Sequence, residues 1–259
     1  MNLPPEVEQG LTHYVQNVRA ALPGSVIAVY LHGSVALGDF QPASSDLDFI
    51  TVVDHRLDPS ETERLRTLHE GLRSQYPGCR LSGGYLQRSD LGKSADAIEP
   101  FPYEHEGIFH VAGRWDINRV TWWILKNRPV VLDESTLLDF EFEMDWDAFR
   151  AEQRENLRAY WARFRREPRR LPGLMTDSGI EWMVLGPLRL AYSIQEQDIA
   201  SKTQAGEYAL RKLPTTYHRV IEEALRIRHS SQPALYRSRW VRALEAHRLL
   251  GFVLREWAA

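Results

Sequence analysis

From about residue 141 the sequence changes texture, and that change limits the folds open to it. The segments 145–167, 177–196, 201–213, 215–229 and 234–257 carry apolar residues at helical spacing, separated by loops marked with Pro and Gly. Any sheet must therefore come from the first 140 residues. There the order runs differently: a helix over 4–22, a β-branched run "SVIAVYLH", a second strand "DLDFITVV", a helix begun by Asp58 and Pro59, and a third strand "CRLSGGYLQ". "IFHVAG" and "PVVL" read as further extended pieces, with a Trp-rich helix over 116–127 between them, while 88–106 shows no clear period. The expected fold class is α+β: an N-terminal α/β domain with a small mixed sheet over 1–140, and a C-terminal α-helical bundle domain over 141–259.

Composition narrows the function classes. In 259 residues the net charge is −3, against the broad basic surface that nucleic-acid binding uses, and so no nucleic-acid partner is expected. The arginine-rich stretch "RFRREPRRLPG" lies beside a helix end, where solvated cations are ordinary. The single cysteine, Cys79, allows no internal disulfide, and no Cys/His spacing suits structural zinc. The opening "MNLPPEVEQG" lacks a signal-peptide pattern and no apolar run is long enough to span a bilayer. The expectation is a cytoplasmic monomer with no membrane partner.

Between the first two strands stands "LHGSVALGDFQPASSDLDF". Gly33 permits a corner closed to other residues, and Ser34 and Ser45 offer hydroxyls and nearby amides to phosphate oxygens. On a strand, Asp46 and Asp48 project to the same side, where two carboxylates repel unless a cation lies between them. Magnesium suits such a pair, since it takes oxygen ligands from one or two carboxylates, water and substrate phosphates. Acidic pairs also occur as plain solvated strand edges; the Gly-Ser corner a dozen residues upstream is what favours the metal.

"HGS" followed by "SDLD" resembles the signature of the nucleotidyltransferase superfamily that includes DNA polymerase beta-like enzymes. By that resemblance Gly33 and Ser34 hold nucleotide phosphates, Asp46 and Asp48 hold Mg2+, and ATP is the co-substrate. A longer resemblance, through "WDINRVTWWILKNRPVVL" and "MVLGPLRLAYSIQEQDIASKTQAGEYALRKLP", is to aminoglycoside adenylyltransferases of the streptomycin/spectinomycin type. These move AMP from ATP to a drug hydroxyl and so confer antibiotic resistance. The resemblance nominates Lys202 for the triphosphate and places Asp116 near the nucleotide. Asp177, Glu181 and Trp182 stand where the family contacts its cationic drug, although acidic residues at a helix start are also favoured by the helix dipole.

One position departs from the family. The third strand usually carries a glutamate that binds metal and takes the proton from the hydroxyl, and here Ser82 stands in its place. A serine hydroxyl is no base near neutral pH and brings no charge to a metal. Three consequences stay open: a base from Glu104, Glu106 or Asp116; a transfer that needs no strong base; or a nucleotide-binding protein with weak or lost transferase activity, while a nucleotidyltransferase acting on another metabolite or a protein is the alternative enzyme reading.

Overall fold

The computed structural model describes residues 3–134, 140–231 and 233–258, and it divides into two compact units, 1–144 and 145–259. The first unit opens with α1 (Pro5–Ala21), whose Val7, Leu11, Tyr14 and Val18 are buried at intervals of three and four residues. Strand β1 (Val26–Leu31) leads through the one-turn helix α2 (Gly33–Ala36) into β2 (Leu47–Val53). Helix α3 (Pro59–Gln75) starts at a capping box: Asp58 accepts from Glu61 N–H at 2.8 Å, and Glu61 accepts from Asp58 N–H at 2.9 Å. Its return yields β3 (Leu81–Gln87), parallel to β2.

Next come β4 (Phe101–His105), β5 (Ile108–Gly113), α4 (Arg119–Asn127) and β6 (Val130–Glu134). The six strands form one mixed sheet, β5-β4-β3-β2-β1-β6, in which β2 and β3 are the parallel pair. Strand β4 falls inside the stretch where the sequence shows no period. The helix expected to begin at 116 begins at Arg119, because Asn118 is its cap and accepts from Val120 N–H at 2.9 Å and Thr121 N–H at 3.1 Å.

Period-two alternation sorts the sheet into two faces. Phe49 and Tyr85 pack under Tyr14, Leu65 and Leu72 of α1 and α3. Ile50, Val52, Leu86 and Phe101 face the other way, against Ile98 and Trp122. Asp48 and Ser82 follow this second set by their parity, and that places the candidate chemistry on the face away from α1 and α3.

The second unit is helical: α5 (Trp146–Asn156), a π-helical turn at 157–161, α6 (Ala162–Arg166), α7 (Asp177–Glu196), α8 (Lys202–Lys212), α9 (His218–Arg228) and α10 (Arg239–Trp257). Helix α7 is its axis, packed on α8, α9 and α10, and buries Ile180, Val184, Leu185, Leu188 and Ala191. Among the described residues no helix is long and apolar enough to cross a membrane.

Candidate active site

The corner after β1 is built on the Asp48 carboxylate. Gly33 adopts φ +55°, and a β-carbon there would overlap Asp48 Oδ2 and stand 2.6 Å from its Cγ. His32 N–H donates to Asp48 O at 2.9 Å, so backbone and side chain of the two segments are locked together. Ser34 Oγ, one residue on, is enclosed and has no hydrogen-bond partner. An orphaned buried hydroxyl costs about 1–3 kcal/mol, a cost that an incoming phosphate oxygen would offset. His32 itself is buried, and burial lowers its pKa to about 4, so a neutral imidazole backs the corner. Its Nδ1 is 4.0 Å from Asp116 Oδ2.

The two aspartates differ in setting. Asp48 is the second residue of β2, half-buried on the sheet face. Asp46 precedes the strand, so strand alternation does not aim it with Asp48 as the sequence reading expects. Its carboxylate is 47% exposed and 3.5 Å from Arg80 Nε, and Arg80 Nη2 donates to Ser45 O at 2.8 Å. Ser45 Oγ accepts from Gln41 N–H at 3.0 Å and closes its own loop. Among the described residues no three His, Cys, Asp or Glu side chains are gathered as for a metal. The donors fit magnesium only as one or two hard carboxylate oxygens completed by water and phosphate, with Ser34 Oγ free for a phosphate beside them.

Ser82 lies opposite Asp48 in the parallel register and is buried. The three carboxylates that the sequence offers as a base lie in different places. Glu104 pairs with Gly83 and so points to the opposite face, where Arg73 Nη1 donates to it at 2.6 Å and His69 Nδ1 lies at 3.9 Å. Burial raises its pKa, with Arg73 acting against that shift. Glu106 sits at the β4–β5 turn with φ +49° and is 78% exposed. Asp116, at φ +52°, faces His32 and accepts from Asn118 Nδ2 at 3.2 Å. Beside Ser82 stand His105 and Trp115: Ser82 Oγ is 3.4 Å from His105 Nδ1 and accepts from Trp115 Nε1 at 3.4 Å. Sequence reasoning passed over both; the alternation Phe101, Tyr103, His105 is the signal that could have found His105.

In the second unit two of the nominated residues, Glu181 and Lys202, are bound to each other. Glu181 is buried and accepts from Lys202 Nζ at 2.9 Å and from Arg228 Nη1 at 3.0 Å. It is therefore an internal anchor for two cations and not the open acidic contact expected for a drug. Asp177, 60% exposed at the start of α7, accepts from Arg242 Nη1 at 2.6 Å. Trp182 packs against Trp161 and Phe164, ring centroids 4.4 and 4.7 Å apart, which accounts for its ring by packing.

Comparison with known proteins follows the same division. Residues 14–80 match the family model "Nucleotidyltransferase domain", and residues 176–248 match "Aminoglycoside adenylyltransferase, C-terminal domain". No curated protein matches the chain by sequence. Among solved structures, the spectinomycin adenyltransferase AAD(9) from Enterococcus faecialis, determined with ATP and spectinomycin, shares the fold: TM-score 0.62 at 14% identity, over 94% of this chain and 98% of that one. The first match covers the Gly33 corner, both aspartates and Arg80, and the second runs from α7 to the middle of α10; by these two matches the chain carries a nucleotidyltransferase domain followed by a helical domain similar to the C-terminal domain of aminoglycoside adenylyltransferases.

Proposed function

We propose that this protein transfers AMP from ATP, with Mg2+, to a hydroxyl of a cationic aminoglycoside of the streptomycin or spectinomycin kind, acting as a cytoplasmic monomer. The observation that carries this reading is the Gly33 corner, which seats Asp48 where a β-carbon would be and leaves Ser34 Oγ enclosed without a partner. In the proposal Gly33 and Ser34 receive the phosphates, with Ser45 supporting the loop, and Asp46 and Asp48 hold the metal. Bound magnesium would neutralise phosphate charge and stabilise the leaving oxygen. The chain's own part is positioning: Gly33 fixes the Asp48 carboxylate, Arg80 restrains Asp46 and Ser45, and neutral His32 keeps extra positive charge out of the corner. Asp116, beside His32, is the proposed contact on the nucleoside side.

Lys202 is the proposed cation for the triphosphate; Arg228 would keep Glu181 neutralised when Lys202 leaves it. Asp177 is the proposed acidic contact for the acceptor, because it keeps 60% exposure, while Glu181 and Trp182 act behind it through the packing of α7. The experiment is incubation with ATP, Mg2+ and a panel of aminoglycosides, followed by mass spectrometry for an added AMP unit. A second reading, nucleotide binding without transfer, is favoured by Ser82 alone, and ATP binding with no adduct from any acceptor would establish it in place of the first.

A further inference from the structure

The row of side chains that begins at Asp48 continues across the sheet. Asp48 is opposite Ser82 in the β2–β3 register, and the antiparallel pairing of Gly83 with Glu104 brings His105 opposite Ser82. Residues opposite one another share a face, and neighbouring strands lie ~4.8 Å apart, so Asp48, Ser82 and His105 form one line over three strands. The place from which a third-strand carboxylate would act is thus bordered by an imidazole from the fourth strand.

That imidazole is held on three sides. Its ring stacks on Trp115, centroids 3.6 Å apart at 29°. Its Nδ1 faces Ser82 Oγ at 3.4 Å, and its Nε2 lies 3.8 Å from Glu106 Oε1 at the β4–β5 turn. One nitrogen therefore looks along the row toward Asp48 and the other toward a carboxylate. This is the polarity of a base with an orienting acid behind it, and contacts of this length ordinarily tighten once substrate is present. The His105 side chain is 27% exposed, enough to pass a proton on to water.

We infer that His105 is the general base of the transfer, in the place the related enzymes give to the third-strand glutamate; this rests on the proposed function above. The acceptor O–H bond breaks with its proton moving to His105 Nδ1, while the hydroxyl's electron pair forms the new bond to the α-phosphorus. The bond from that phosphorus to the bridging oxygen breaks, and its electron pair leaves with pyrophosphate. The imidazolium so formed faces Glu106 through Nε2–H. Ser82, with Trp115 N–H on its oxygen, positions Nδ1 without itself titrating. Glu106 from the hairpin turn, Ser82 from β3 and Trp115 from the segment before α4 are the groups packed on the ring, and Ile108 lies opposite it on β5.

The test compares the wild-type protein, His105→Gln and the double variant His105→Gln with Ser82→Glu, reading AMP transfer against pH and ATP affinity by equilibrium binding. His105→Gln is expected to lower kcat about 100- to 1000-fold and to change the shape of the pH–rate profile. ATP affinity is expected to stay within about twofold, and a carboxylate at position 82 to recover about tenfold or more of the lost rate. His105→Gln keeping kcat within about threefold with the same pH profile, or losing ATP binding in proportion to rate, would overturn the assignment while leaving the proposed function standing. A wild-type protein that binds ATP and transfers nothing overturns both.

Discussion

Gly33 and Asp48 occupy one another's space: the carboxylate oxygen of Asp48 lies where any β-carbon at position 33 would have to be. The corner and the strand are therefore one device, and a side chain at 33 would both strain a φ of +55° and push the acid aside. Gly33→Ala is expected to cost about 1–2 kcal/mol of stability from the backbone alone. Displacing Asp48 should lower AMP transfer by about 100-fold, as misplacements near 1 Å commonly do. Urea unfolding and a transfer assay check the two effects, and a variant with unchanged activity would deny Asp48 its role.

Ser34 should separate binding from stability. Its enclosed Oγ has no partner, so Ser34→Ala removes an unsatisfied group and is expected to leave stability equal or raise it by about 1 kcal/mol. The same change deletes a donor to phosphate and should weaken ATP binding about tenfold, as loss of a hydrogen bond to a charged group does. Calorimetric titration with ATP and a thermal melt measure both quantities on one sample.

Glu181 is expected to behave as a structural residue. Glu181→Ala leaves Arg228 buried and Lys202 half-buried without their shared acceptor, which should cost about 3 kcal/mol. Glu181→Gln keeps an acceptor and should cost less. If denaturation midpoints of both variants match the wild type while drug affinity falls, Glu181 is an acceptor contact instead.

His69 makes stability depend on pH. It is buried with Nε2 bonded to Tyr85 OH at 2.8 Å, and burial, aided by the charge of Arg73, lowers its pKa to about 3. The unfolded chain binds that proton near pH 6.5 and the folded one does not. Stability is thus complete above pH 6.5 and is lost as the pH falls toward 3, by up to about 1.4 kcal/mol per pH unit from this residue. Glu104, with a raised pKa, acts in the opposite sense at lower pH, so the measurement is the difference in unfolding free energy between wild type and His69→Gln at pH 7 and pH 5. The wild type should lose more on acidification.

How much of this site could be read from the sequence differs by residue. The corner was legible because Gly33, Ser34 and Asp48 are brought together by a short loop between two strands whose apolar runs are plain. Asp46 was half legible: its spacing from Asp48 was visible, but β2 begins at Leu47 and Asp46 turns to Arg80, a partner supplied by the segment before β3. Strand β4 was hidden because its inward residues include the charged Glu104, paired through Oε1 with Arg73 from α3, which breaks the apolar alternation on that face. Lys202 and Glu181, 21 residues apart, each suggested a ligand when taken singly, and they meet as a pair.

By itself the sequence determined the α+β class, the start of α3 at the Asp58–Glu61 box, and the glycine corner, because periodicity, capping and left-handed backbone are properties of neighbours along the chain. Only the tertiary structure decided that Ser82 stands between Asp48 and His105, that Glu104 faces away, and that Glu181 is an internal anchor. Those facts depend on strand register and helix packing, where a shift of one residue turns every side chain to the other face, and no local pattern encodes which residues then meet.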